Sequence, residues 1–110
     1  MVISFEKEYL HELYETGQSS DKKYRFQPEI IKAYAKCIYR LEEANTPEEL
    51  YRYHSLHFEK LRGEKEGLFS IRINRQYRIE FEIIPIELHK DIVEMKIIIC
   101  NIVELSNHYE

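Results

Sequence analysis

The stretch FSIRINRQYRIEFEI, residues 69–83, decides the fold. Phe69, Ile71 and Ile73 alternate with Ser70 and Arg72, and Tyr77, Ile79, Phe81 and Ile83 alternate with Arg78, Glu80 and Glu82. A period of two gives each strand one apolar face and one open face. Asn74, Arg75 and Gln76 lie between the two runs and form the connection of an antiparallel hairpin. Directly paired residues face the same side. If Ile73 opposes Tyr77, then Arg72 opposes Arg78 and Ile71 opposes Ile79, which satisfies the polarity pattern throughout. Two guanidinium groups then stand side by side on the open face, an unfavourable arrangement unless an anion lies between them. Two readings stay open: a phosphate taken up by the arginine forks, or neutralisation by Glu80 and Glu82 on the same face. Tyr77 falls on the apolar side.

Working outward, residues 1–5 (MVISF) read as a short strand and residues 6–16 as a helix, with Leu10, Leu13 and Tyr14 on one face and Gly17 as its stop. Residues 18–26 form a polar loop. A second helix follows Pro28, with Ile30, Ile31, Tyr34, Ile38 and Leu41 at helical spacing and Lys32, Lys36, Arg40 and Glu43 opposite. Thr46-Pro47-Glu48-Glu49 carries the N-cap, proline and third-position glutamate of a helix start. Pro85 and the polar stretch to Asp91 read as a connection, followed by a last strand over residues 92–103. Helices first and antiparallel strands afterwards describe an α+β fold with helices on one face of a small antiparallel sheet. At 110 residues the chain is a single domain, 1–110.

Composition narrows the class. No apolar run approaches the ~20 residues that cross a bilayer, and MVISFEKEYL lacks the basic and apolar regions of a secretion signal. These features predict a cytoplasmic protein without membrane contact. The two cysteines, Cys37 and Cys100, sit among apolar neighbours and read as buried, reduced thiols. No closely spaced Cys/His pair suggests a metal site, and no cofactor motif occurs. The net charge of −4 opposes the basic excess usual in nucleic-acid binders. The charge is unevenly spread, however: Lys60, Arg62, Lys65, Arg72, Arg75 and Arg78 face only Glu64 and Glu66 in that segment. His11, His54, His57 and His89 read as surface or packing residues; His57 is two positions from Glu59.

The segment EKLRGEKEGLFSIRINRQYR, residues 59–78, and the terminal His108-Tyr109 resemble the RelE/ParE superfamily of bacterial toxins. The likeness is strongest to the YoeB and HigB branches, the latter being the plasmid-maintenance "system killer" type; YETG and LEEANTPEEL look more like HigB. Phe69 stands where the family commonly has tryptophan. Glu59 occupies a position that is histidine in HigB toxins, whose ends read Tyr-His rather than His-Tyr. The resemblance implies a RelE-like microbial RNase toxin fold and a ribosome-dependent endoribonuclease (an mRNA interferase) of a type II toxin–antitoxin system. It implies Glu59 as general base, Arg78 as the phosphate-stabilising cation, and His108 and Tyr109 as the pair that orients the nucleotide and protonates the leaving group. Arg62 and Arg72 match positions that hold the RNA backbone, and Lys60, Lys65 and Arg75 extend that cationic segment. The implied partners are a cognate antitoxin, of the helix-turn-helix HigA type, and mRNA on the 70S ribosome, which supplies electrostatics that an acidic chain lacks.

The residue types suit metal-free RNA cleavage, in which the 2′-hydroxyl attacks the adjacent phosphorus. The reaction needs a base, a cation for charge on the phosphoryl oxygens and an acid for the departing 5′-oxygen. Two other functions remain: a ParE-like inhibitor that blocks DNA gyrase by binding, and an inactive relative that binds only its antitoxin. Loss of growth arrest on replacing Glu59, Arg78 or His108 separates the first function from both.

Overall fold

A computed structural model of the chain describes residues 1–107. Five strands form one sheet: β1 (Val2–Phe5), β2 (Glu59–Lys60), β3 (Phe69–Arg72), β4 (Tyr77–Lys90) and β5 (Val93–Asn107), in the order β1-β5-β4-β3-β2. The helices α1 (Glu8–Thr16) and α2 (Pro28–Glu43) precede the hairpins. The sheet is antiparallel except at one margin, where β1 runs parallel to β5. The expected α+β layering holds. The parallel pair, which strand periodicity alone does not reveal, arises because the helical segments carry the chain away between β1 and the hairpins.

Local sequence accounts for the helices. Pro28 opens α2 at a position where its missing N–H is not needed. Ile30, Tyr34, Cys37, Ile38 and Leu41 recur along one face and are buried. Helix α1 ends at Gly17, whose φ of 74° is easy only for glycine and whose N–H bonds the Leu13 carbonyl at 3.0 Å. Thr46 opens a 3₁₀ helix, Pro47–Arg52, and the Glu49 carboxylate accepts the Thr46 N–H at 2.8 Å. The loop over residues 18–26 contains a further 3₁₀ turn, Lys22–Tyr24.

The helices cover the sheet face that carries Ile71, Ile79, Phe81, Cys100, Ile102 and Leu105. Cys37 and Cys100 are buried free thiols, and burial pushes each up to about 11. The Tyr34 hydroxyl donates to the Leu10 carbonyl at 2.7 Å and ties α2 to α1 inside this core. Tyr34→Phe is expected to lower the unfolding free energy by about 1 kcal/mol, read as a lower urea midpoint at unchanged slope.

Hairpin β3–β4 has the register expected from its polarity, with Ile71 opposite Ile79 and Arg72 opposite Arg78. Tyr77 is half-buried and meets Phe26 edge-on, with ring centroids 5.6 Å apart. The following segment differs from expectation. Strand β4 does not break at Pro85 but continues to Lys90, turns at Asp91-Ile92, and returns as β5 from Val93 to Asn107. Proline is tolerated because β3 pairs with β4 only as far as Phe81, so beyond that point β4 has a free edge where a missing N–H costs no ladder bond. Residues 82–90 and 93–98 thus form a two-stranded ribbon that projects from the body, and the longest dimension of the molecule reaches 49 Å. A bulge at Glu80/Phe81 shifts the β4–β5 register. It lets Ile102 and Leu105, three positions apart, both face the core.

Candidate active site

The helix-free face of the sheet gathers most of the chemistry-bearing residues. Phe58 packs against Phe69 and Phe81, with ring centroids 5.6 and 6.1 Å apart, which fixes the entry into β2 on the core side. Successive strand residues point to opposite faces, so Glu59 turns to the open face. It is exposed and pairs with Ser70, which in turn pairs with Glu80. One step along the strands, Arg72 pairs with Arg78 and Arg78 with Ser106. The carboxylate of Glu59 and the guanidinium of Arg78 therefore rise from strands about 10 Å apart, a gap that long side chains span around a bound phosphodiester.

Glu80 organises the centre of this face. It is 2 % exposed, yet three donors converge on its Oε2: Lys65 Nζ at 2.7 Å, Ser106 Oγ at 2.9 Å, and Arg78 through Nε and Nη2, each at 3.0 Å. Burial pushes the carboxyl up, but the Lys65 and Ser106 hydrogen bonds and the Lys65 and Arg78 charges outweigh it and hold Glu80 below the usual glutamate range. Of the two readings of the paired arginines, neutralisation by Glu80 accounts for Arg78. Glu82 has another task, accepting from Asn101 Nδ2 at 2.9 Å.

Lys65 reaches Glu80 because the loop before β3 folds back over the sheet. Gly63 and Gly67 adopt φ values of 70° and 96°, and the Leu61 N–H closes the loop on the Leu68 carbonyl at 2.9 Å. Arg62 lies exposed at the start of that loop, and Arg75 lies exposed in the 74–76 connection. Lys60 pairs with Phe69, on the opposite side of the ladder from Glu59, so the register does not bring these two together. His57 caps a 3₁₀ turn with a left-handed φ of 46° immediately before Phe58. Strand β5 ends at Asn107 opposite Tyr77, one position from the Arg78–Ser106 pair; His108 and Tyr109 lie outside the described residues. Sequence reasoning offered the Arg78–Glu80 contact as one of two readings but missed Ser106 and the approach of Lys65 to the same carboxylate. Alternation puts Glu80 on the right face, but its link to Ser106 depends on the bulge. Among the described residues no cluster of His, Cys, Asp or Glu could hold a metal ion, and no helix is long and apolar enough to cross a membrane.

The face is an open shelf rather than an enclosed cavity, a shape suited to a polymer. Its cations can hold phosphate and its outlying carboxylate can take a proton. A family described as "RelE-like toxin of type II toxin-antitoxin system HigB" matches residues 3–95. Toxin HigB-1 of Vibrio cholerae serotype O1 is 32 % identical over 83 residues, covering 74 % of this chain and 83 % of the relative. A YoeB/ParE toxin from Agrobacterium tumefaciens shares the fold, with a TM-score of 0.53 over 99 % of this chain and 100 % of its own at 14 % identity.

Proposed function

Since the chain belongs to the HigB-like family of RelE-like toxins of type II toxin–antitoxin systems, we propose that it is an endoribonuclease that cleaves mRNA in the ribosomal A site by metal-free acid–base chemistry. The observation that carries this reading is the open sheet face, where Glu59 stands across from the Arg72–Arg78 pair with Lys65 beside them. Glu59 takes the proton of the 2′-hydroxyl as that oxygen attacks phosphorus. Arg78, with Arg72 and Lys65 nearby, holds the phosphoryl oxygens as negative charge grows on them; donors aimed in this way are commonly the largest catalytic contribution. His108 gives a proton to the departing 5′-oxygen, and Tyr109 stacks on or orients the nucleotide. The products are a 2′,3′-cyclic phosphate and a 5′-hydroxyl. Arg62 and Arg75 contact backbone phosphates further along the strand.

The family places the chain in a toxin–antitoxin pair. We assign the partner to the helix-turn-helix HigA type, whose reading frame should lie next to this one. The test is primer extension on a reporter message after induction in cells. Wild-type protein should arrest growth and leave discrete cuts in translated mRNA. Glu59→Gln, Arg78→Ala and His108→Gln should each strongly deplete the cuts. Growth arrest that persists in all three variants would overturn the assignment.

A further inference from the structure

The projecting ribbon takes no part in the chemistry above, and its two faces differ sharply. Among the described residues no third strand flanks it over residues 82–90 and 93–98: β3 stops pairing at Phe81, and β1 first pairs at Ile99. Cross-strand partners share a face. One face carries Glu87 with Lys96 and His89 with Glu94, joined by side-chain contacts of 4.0 and 3.6 Å. The other, continuous with the open face of the sheet, carries Ile84 with Ile99, Ile86 with Ile97, and Leu88 with Met95, and holds no charge between these pairs. Leu88 and Met95 are 48 % and 53 % exposed, and Val2, paired to Ile99 through β1, widens the strip.

The charges that bound this strip are placed symmetrically. Along the open face β4 reads Glu82, Ile84, Ile86, Leu88, Lys90. A two-fold axis running across the strands at Ile86 lays this pattern on a reversed copy of itself. Ile86 then meets Ile86, Ile84 meets Leu88, and Glu82 meets Lys90 twice. Glu82 is already held in place by Asn101. Edge-to-edge strand pairing through β4 is disfavoured, because Pro85 offers no N–H there. Face-to-face packing has no such obstacle. A strip about 24 Å long and ~10 Å wide covers roughly 240 Å² in projection, so a pair buries on the order of 500 Å² before side-chain relief is added, the scale of a weak, exchanging contact.

We propose that the open face of the ribbon is a self-association surface, on which two copies of this chain pack face to face and antiparallel about Ile86. The aliphatic strip supplies the attraction, and the two Glu82–Lys90 contacts set register and direction. At this area the dimer is weak and exchanges with monomer. The surface adjoins the assigned site on the same sheet face but uses none of its residues, so it persists whether or not the chain cleaves RNA.

Sedimentation velocity on the purified full chain over a micromolar dilution series tests it. Wild-type protein should show reversible monomer–dimer exchange. Glu82→Lys, which sets lysine against lysine, should weaken association by roughly 10-fold or more, and Lys90→Glu should do the same through paired glutamates. The double variant Glu82→Lys/Lys90→Glu should restore dimerisation. Leu88→Asp should leave monomer only, whereas Glu87→Gln on the reverse face should change nothing. Circular dichroism melts verify that each variant folds. Wild-type protein that stays monomeric throughout overturns the proposal, including the case in which Leu88→Asp instead weakens binding of the antitoxin. So does a dimer indifferent to Leu88→Asp, or a double swap that fails to recover.

Discussion

Arg78→Ala should lower the single-turnover rate of mRNA cleavage by roughly 10²–10³-fold, the usual loss when one donor to a developing oxyanion is removed. The expectation rests on position. Arg78 is largely buried at the base of the open face, beside Arg72 and across the sheet from Glu59. Loss should not be total, since Arg72 and Lys65 still confront the phosphate. Arg78→Lys should recover little, because an ammonium cannot reproduce the planar donor fork. A stopped assay on ribosome-bound message, with the thermal midpoint of each variant recorded, measures this. A variant that changes only the affinity for the programmed ribosome, with an intact cleavage rate, would show that Arg78 binds substrate without acting on the transition state.

Glu80→Gln should cost both stability and rate. Its carboxylate is nearly inaccessible and receives Lys65, Ser106 and Arg78. Removing the charge leaves two cations facing one another over an uncharged amide. Breaking a buried pair can cost 3–5 kcal/mol, but Lys65 is 46 % exposed and can turn to water, so about 2 kcal/mol is the reasonable figure. For a domain of this size that lowers the thermal midpoint by ~10 °C. The pH dependence has a definite sign. Glu80 is held below its ordinary range in the folded protein, so its contribution is complete above the unfolded-state value of about 4.3 and disappears as pH falls through the depressed folded value. The wild-type acid limb should therefore be steeper than that of Glu80→Gln. The rate should fall too, because Arg78 loses its anchor. Glu80→Asp should restore charge without reach and recover stability only in part. Wild-type stability and an unaltered acid limb in Glu80→Gln would contradict this account.

Much of the shelf is legible in the sequence. The alternation from Phe69 to Ile83 suffices to derive the hairpin register and the Arg72–Arg78 opposition, because each strand has only one face it can bury. The helix boundaries at Pro28 and Gly17 follow from residues that tolerate little else. The projecting ribbon is not legible. Pro85 reads as a breaker unless β4 is known to be an edge there, and that depends on where a different strand stops. The swing of Lys65 onto Glu80 depends on two left-handed glycines acting together. Ser106 joins the cluster only through a bulge whose cause, the three-residue spacing of Ile102 and Leu105, is visible only once both are known to be buried.

The convergence of three donors on one hidden oxygen has a bearing on genetics. A side chain so little exposed has almost no surface to offer a nucleotide, yet its loss should weaken the scaffold and misplace the cation together. Survivors of a selection for harmless alleles should therefore concentrate at codon 80 as often as at codons whose products touch the message.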